Sequence, residues 1–197
     1  NMSERAQKDF PCWELGWFAP SVSQLTPAET TTLLSKLGYK WVEWRIQTNQ
    51  QLEASPWGKA YNTLVLDHLL DDARQVAGLL EDTQIKVAAL QVDAPADFPH
   101  LRKVVREAAQ IMSCSKVLLF SPPFDVCEGY RSQKQKFQEQ IKSWVAEFSG
   151  TGIRICLETH FSSITPSTPL TMGLLEPFSA EQTGVMWDPA NMVFEGL

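Results

Sequence analysis

The sequence predicts an α/β fold in which parallel strands alternate with helices, and three observations support this class. Short apolar or β-branched runs recur along the 197 residues, helical periodicity fills most of the spaces between them, and the runs lack polar alternation. The run starts lie about 28 to 44 residues apart, which suits βα units with loops of variable length. The six predicted strands are Trp13–Ala19, Trp41–Ile46, Ile85–Val92, Lys116–Phe120, Ile153–Glu158 and Thr183–Asp188.

The connecting segments carry recognisable helix signals. In the first, Thr26 can cap the helix, Pro27 suits its first turn, Glu29 completes a capping box and Gly38 ends it. Apolar residues at helical spacing predict four further helices. These helices are predicted over Leu66–Leu80, from about Asp97 to Met112, through Phe137–Phe148 and near Leu170–Phe178, and the run Gln133–Lys136 is predicted to be solvent-exposed.

Composition limits the class of protein. A hydrophobic fraction of 44% suffices for one core, so we expect a single domain over residues 1–197. The net charge of -6 disfavours non-specific binding to nucleic acid. The four cysteines form no CxxC pair and are expected to be reduced thiols. No signal-peptide core opens the chain and no apolar run approaches the roughly 20 residues of a bilayer span, so we expect a cytoplasmic protein without a membrane anchor.

A barrel and an open sheet both remain compatible with alternating strands and helices. No GxGxxG or GxxxxGK[ST] motif follows any predicted strand, so the usual mark of an open nucleotide-binding sheet is missing. Units that repeat the same strand–helix order favour a (β/α)8-type barrel, of which about six units lie in this chain. In either arrangement, functional side chains sit where the strands end.

Two acidic residues stand out at these strand ends. Glu158 and Asp188 each end an apolar strand, and the two strands are consecutive. Neighbouring strands lie roughly 4.8 Å apart, so the carboxylates repel each other unless a cation lies between them or one binds a proton. A divalent ion with oxygen ligands would remove the conflict. His160, two residues beyond Glu158, points the same way if the strand stays extended.

At these residues the sequence resembles a known family. The motif Leu157-Glu158-Thr159-His160, followed about 30 residues later by Trp187-Asp188-Pro189-Ala190-Asn191, is similar to the xylose-isomerase-like TIM-barrel superfamily of sugar isomerases and epimerases. The segment Gly38–Arg45 resembles the second strand of that superfamily, although this match alone is weak. Together the motifs cover the chain in the family's order.

The resemblance implies a metal site and a reaction. In the family, a divalent Mn, Mg, Co or Zn ion is held by a Glu, an Asp, a His and a Glu after strands five to eight. The first two match Glu158 and Asp188, and the other two have no counterpart before Leu197, so we expect a C-terminally incomplete barrel. Glu158 would then act as acid/base residue in proton transfer beside a metal-bound carbonyl, and His160, Glu43 and Trp17 (or Trp44 as a stacking ring) would contact a small sugar or polyol.

Several alternatives stay open at this point. Glu158 could form an internal salt bridge, Asp188 could be only a helix cap, and Glu43 could pair with Arg45 or Lys40. The function could instead be polyol dehydration, as in inosose dehydratases, or that of a non-catalytic degenerate barrel. An endonuclease-IV-type activity is disfavoured, because the chain has only three His and carries Asn191 where those nucleases have a zinc-binding His. Family members often form dimers or tetramers, so a homo-oligomer is also open.

Overall fold

The computed structural model describes residues 14–53, 59–93, 98 and 100–194. These residues form one sheet with helices between its strands. The strands are β1 (Gly16–Phe18), β2 (Trp41–Gln47), β3 (Leu64–Val65), β4 (Lys86–Val92), β5 (Lys116–Leu119), β6 (Arg154–Glu158) and β7 (Thr183–Met186). The helices are α1 (Pro27–Leu37), α2 (Asn49–Glu53), α3 (Leu69–Glu81), α4 (Leu101–Ile111), α5 (Tyr130–Glu147), α6 (Thr168–Leu175) and α7 (Pro189–Phe194), with short 3-10 helices at Ala19–Val22 and Leu66–His68.

The sheet has the order β1-β2-β4-β5-β6-β7, and β3 pairs with the end of β2. Every pairing between these strands is parallel. Parallel neighbours require crossover connections, and helices supply them along the chain. The predicted α/β class and its parallel strand arrangement are therefore confirmed, and all six predicted strands are present. None of the helices in the described ranges has the length and apolar character needed to cross a bilayer.

Some predicted boundaries were wrong. β7 ends at Met186 rather than Asp188, because Asp188 already belongs to the turn that starts α7. The helix predicted from about Leu66 begins as α3 only at Leu69, after a 3-10 turn. β1 covers only Gly16–Phe18; the start of the predicted strand at Trp13, the start of the predicted third helix at Asp97 and the thiol of Cys12 lie outside the described residues.

Helix α1 begins and ends at the residues that the sequence predicts. The side chain of Thr26 accepts a hydrogen bond from the Glu29 backbone N–H at 3.3 Å, and the Glu29 carboxylate accepts one from the Thr26 N–H at 2.9 Å. Gly38 ends the helix with a φ of 77°, a left-handed conformation that a side chain would strain. The helix thus presents Leu34 to the core at a defined angle.

The two faces of the sheet differ in chemistry. The face toward the helices carries the main hydrophobic core, to which β2 contributes Val42, Trp44 and Ile46, all 0% exposed. The opposite face, here called the interior face, carries Glu43, Arg45 and Gln47 from the same strand, because side chains alternate along a strand. The apolar face stabilises the fold, and the interior face is the one available for polar chemistry.

A β-bulge sets which residues of β4 reach the interior face. Val42 pairs with Val87, but the next residue, Glu43, pairs with Ala89, so Ala88 is an extra residue in β4. Beyond the bulge, Gln91 pairs with Arg45 and lies on the interior face beside it. The bulge therefore aligns the polar residues of β2 and β4.

One prediction about the solvent-exposed face of helix α5 was wrong. Gln133 was predicted to be solvent-exposed together with its neighbours, but its side chain is buried at 6% exposure. Its amide donates to the backbone oxygens of Asp125 at 2.7 Å and Gly129 at 3.2 Å, and its own oxygen accepts from the Asp125 N–H at 2.9 Å. Gln133 is buried because it satisfies the backbone groups of the loop before α5.

The cysteines of the described ranges are free thiols, as predicted. Cys114 and Cys156 are buried, and Cys127 is exposed. Burial raises the pKa of the Cys114 thiol to about 11 and also raises that of Cys156, so neither is a reactive thiolate at neutral pH.

Candidate active site

Glu158 and Asp188 lie at the carboxyl ends of adjacent strands. Glu158 is the last residue of β6 and pairs with Met186, the last residue of β7, so Asp188 stands two residues beyond this pair on the same face. The Glu158 side chain is buried at 7% exposure, and Asp188 is half-buried. Two consecutive β-strands thus place both carboxylates at one edge of the interior face.

One amide bridges the two carboxylates. The side-chain nitrogen of Asn191, in the first turn of α7, donates to Glu158 Oε1 at 3.1 Å and to Asp188 Oδ2 at 2.9 Å. It also lies 3.2 Å from the backbone oxygen of Thr159. Because one nitrogen contacts both side chains, the carboxyl groups point toward each other. Asn191 was not predicted as a site residue, although its spacing of three from Asp188 puts both residues on one helical turn.

Asp188 also caps the start of helix α7, a role that the sequence left open as an alternative. Its Oδ1 accepts hydrogen bonds from the backbone N–H groups of Ala190 at 2.8 Å and Asn191 at 3.3 Å, so it caps α7. Its own N–H donates to the Thr159 hydroxyl at 2.9 Å. Oδ1 of Asp188 therefore caps the helix, and Oδ2 faces the Asn191 side chain and Glu158.

The Glu158 carboxylate is only partly satisfied. Its Oε2 is buried and has no hydrogen-bond partner in the described part of the chain, and no ion pair there involves Glu158. Burial raises the pKa of Glu158; His160 and the Asn191 amide lower it, and Asp188 raises it. An unpartnered buried carboxylate oxygen beside a second carboxylate fits a divalent cation with oxygen ligands. Among the residues described, no three His, Cys, Asp or Glu side chains cluster as a fuller ligand set.

Glu43 adds a third carboxylate to the interior face. Burial, followed by the charge of Glu158, raises its pKa to about 7, and the charge of Arg45 opposes this shift. No ion pair within the described ranges joins Glu43 to Arg45 or Lys40, the alternative that the sequence left open. Glu43 and Glu158 thus face the same space from β2 and β6.

We expect stability to fall with rising pH because of Glu43. The folded state raises the pKa of this carboxyl from 4.5 to about 7, so it binds the proton more tightly than the unfolded chain does. The stabilisation is complete below pH 4.5 and is lost as the pH rises through about 7, by on the order of 3 kcal/mol. Urea denaturation with chelator from pH 4.5 to 8 measures it. Glu43→Gln should flatten the profile, whereas the exposed control Glu53→Gln should not; an unchanged Glu43→Gln profile contradicts the assignment.

His160 forms part of the wall beside Glu158. Its Nδ1 donates to the backbone oxygen of Phe161 at 2.8 Å, and its ring stacks on the Phe161 ring at a centroid distance of 4.6 Å. Phe120 meets the same imidazole edge-on at 6.1 Å. Because the His160 charge lowers the pKa of Glu158, the ring lies close to the carboxylates. The second ring nitrogen has no hydrogen-bond partner among the described residues, so it is left for another contact.

The structure does not bring Trp17 to the carboxylates. Trp17 pairs with Val42, which faces the helices, and its ring meets Tyr39 edge-on at 5.2 Å. The aromatic residue of β1 on the interior face is instead Phe18, which pairs with Glu43. Trp44, named in the sequence analysis as a second candidate stacking ring, lies in the hydrophobic core. Alternation shows that Trp17 and Phe18 face opposite sides, but only the pairing with β2 shows which side is interior.

The parallel strands follow one another across the sheet in chain order, without the reversal that marks an open doubly wound sheet, which is the arrangement of a TIM-barrel-type α/β protein. Comparison with solved structures shows that the chain has the fold of xylose-isomerase-like TIM-barrel proteins. It is similar to 3-keto-D-glucoside 4-epimerase YcjR from E. coli, with a TM-score of 0.69 and 10% identity over 93% of this chain and 71% of that one. Other structures of this fold are named as xylose isomerase domain proteins.

Two further structures are similar over an equal share of the chain. The probable 3-DHS dehydratase AsbF from Bacillus anthracis matches with a TM-score of 0.68 and 14% identity, and the zinc-bound IolI protein with 0.68 and 15%. Each match covers 93% of this chain and 66% of the other, so the chain spans about two thirds of their length. No family model and no curated protein matches the sequence.

Proposed function

We propose that the chain is a single xylose-isomerase-like domain that catalyses isomerisation or epimerisation of a small sugar or polyol with a divalent metal ion. The observation that carries this proposal is the pair of carboxylates of Glu158 and Asp188, held together by Asn191, with one buried Glu158 oxygen unpartnered. Epimerases among the structures of the same fold support the reaction class, and zinc in IolI supports a metal.

In this proposal Glu158 and Asp188 hold the metal, which polarises a carbonyl and neighbouring hydroxyl of the bound substrate when it is present. Glu158 also moves the proton on the adjacent carbon, because burial raises the pKa of its carboxylate and makes it a stronger base than an exposed glutamate. Asn191 orients both carboxylates through its shared amide nitrogen. His160 forms the wall of the substrate pocket and has one ring nitrogen for a substrate hydroxyl.

On the opposite strand Glu43 contacts substrate hydroxyls. Its half-buried carboxyl has no hydrogen-bond partner among the described residues, so a polyol can supply one without displacing a protein contact. Phe18, on the same face, takes the stacking role that the sequence analysis gave to Trp17. Cytoplasmic location and self-association remain predictions.

Dehydration of a polyol is the second candidate, because AsbF, named as a probable 3-DHS dehydratase, has the same fold and the same carboxylates could remove a proton beside a carbonyl. The two reactions diverge after that step. An isomerase returns the proton to carbon, whereas a dehydratase expels the neighbouring hydroxyl as water. A non-catalytic barrel is the third reading, and it predicts neither metal binding nor proton exchange.

The test is proton exchange in D2O. The protein is incubated with Mn2+ and a panel of ketoses, aldoses and inososes, and NMR follows deuterium entering the carbon beside the carbonyl. We expect metal-dependent exchange that a chelator stops and that Asp188→Asn reduces at least 100-fold. Exchange with loss of water identifies the dehydratase. If thermal shift assays detect no Mn2+ binding and NMR detects no exchange, the proposal is wrong.

A further inference from the structure

The interior face carries a cation that the proposed reaction does not use. Arg45 is half-buried, and its guanidinium is held by two neighbours. Its Nε donates to the Gln91 side-chain oxygen at 2.9 Å, and its central carbon lies 4.9 Å from the centroid of the Phe18 ring. Neither contact occupies the two terminal NH2 groups, which carry four of the five guanidinium donors.

The carboxylates near Arg45 do not take up these donors. Asp93 accepts from the Gln47 amide at 2.7 Å and from the Gln51 amide at 3.3 Å. In the part of the chain that the structure describes, Arg45 forms no ion pair within 4.0 Å. The charges of Asp93, Glu43 and Glu158 nevertheless raise its pKa against the effect of burial, so it lies near the candidate site. The terminal nitrogens of this half-buried guanidinium therefore remain able to donate hydrogen bonds to an anionic group of a ligand.

We propose that Arg45 binds the carboxylate of the substrate, so that the substrate is an acidic sugar such as a uronate. This inference rests on the proposed function, because it places the substrate on the interior face with Glu158. The planar fork of Arg45 matches a carboxylate with two parallel hydrogen bonds, and Phe18 and Gln91 hold it in place. A phosphate dianion fits less well, since Glu43 and Glu158 would repel its second charge.

The experiment compares acidic and neutral sugars of the same stereochemistry. Calorimetry with Mn2+ present measures binding of D-glucuronate, D-galacturonate and D-fructuronate, each against its neutral counterpart glucose, galactose or fructose. We expect at least one uronate to bind roughly tenfold to hundredfold tighter than its counterpart, as charge-assisted hydrogen bonds to arginine allow. Equal binding within every pair, or no uronate binding at all, overturns the proposal. Tighter binding of glucose 6-phosphate than of any uronate overturns the carboxylate assignment.

Variants separate a binding role from a structural one. Arg45→Met keeps the apolar stem over Phe18 and is expected to lose the uronate preference while still binding the neutral sugar; the exposed control Arg131→Met should keep the preference. If Arg45→Met does not fold, Arg45→Lys serves instead, with a preference reduced at least threefold because an ammonium cannot form the fork. A preference that persists undiminished in the folded variant refutes the proposal.

The rise in Tm on adding Mn2+ measures metal binding, on which the proposed function depends, independently of Arg45. Retained Mn2+ stabilisation in Arg45→Met together with lost uronate preference supports the assignment of Arg45. Uronate preference without any Mn2+ shift in the unmodified protein counts against the proposed metal-dependent function but not against the contact of Arg45 with a carboxylate. The two failures are therefore distinguishable.

Discussion

Replacing Glu158 with glutamine is expected to abolish divalent-metal binding and, in the metal-free protein, to increase stability. The buried carboxylate lies beside Asp188 and within the field of Glu43, and its Oε2 has no partner among the described residues. Glutamine removes the charge and keeps the size, so the repulsion disappears. We expect a gain of about 1 kcal/mol in the free energy of unfolding near pH 7, a rise of roughly 2–4 °C in Tm.

The same variant should no longer respond to Mn2+. A ligand at 100 times its Kd stabilises a protein by about 2.7 kcal/mol, and we expect this increment to vanish in Glu158→Gln and to persist in the exposed control Glu176→Gln. The pKa of Glu43 should also fall toward its ordinary value, because the charge of Glu158 helps to raise it. Differential scanning fluorimetry with Mn2+ or chelator measures both stability effects. An unchanged Mn2+ shift in Glu158→Gln would refute the metal site.

Replacing Trp44 with alanine is expected to cost about 3–5 kcal/mol of stability, the largest effect on the fold that we predict. The Trp44 side chain is 0% exposed and packs between β2 and the helices in the main core. Removing it leaves a cavity that rigid neighbouring strands can close only in part. Urea denaturation measures the loss as a lower midpoint with an unchanged slope.

Two other tryptophan variants make the comparison specific. Trp44→Phe should cost clearly less than Trp44→Ala, because the indole Nε1 is buried without a hydrogen-bond partner in the described ranges and phenylalanine removes that polar group. Trp187→Ala should change stability by no more than about 0.5 kcal/mol, since Trp187 is 64% exposed. If Trp44→Ala loses less than Trp44→Phe, the core position assigned to Trp44 is wrong.

The fold could be predicted wherever local chemistry determines local structure. The capping box of Thr26 and Glu29 and the apolar strands depend on neighbours in sequence, and the structure contains them at the predicted positions. The two-residue strand β3 was missed because Leu64 and Val65 give too short a pattern and pair only with the far end of β2. Gln133 was misplaced because its partners are backbone groups of a folded loop, which composition does not reveal.

The candidate site was predictable only in part, for a similar reason. Glu158 and Asp188 stand at strand ends, and parallel pairing alone brings them to one edge. The bridge by Asn191 depends on the turn into α7, and the choice between Trp17 and Phe18 depends on which face of the sheet the helices cover. The sequence does not show that the terminal nitrogens of Arg45 stay free, because this depends on the folded positions of Gln91, which binds its Nε, and of Asp93, which binds Gln47 instead.

The extra residue in β4 has a consequence for how such a chain can diverge. Deleting Ala88 would make the pairs Val42–Val87 and Glu43–Ala89 directly consecutive, so every later residue of β4 would keep its partner and its side. Inserting one more residue at this point without a second bulge would do the opposite. Leu90 would then face Arg45, and Gln91 would enter the helix layer. Natural variation at this position should therefore tolerate the loss of a residue more readily than the gain of one.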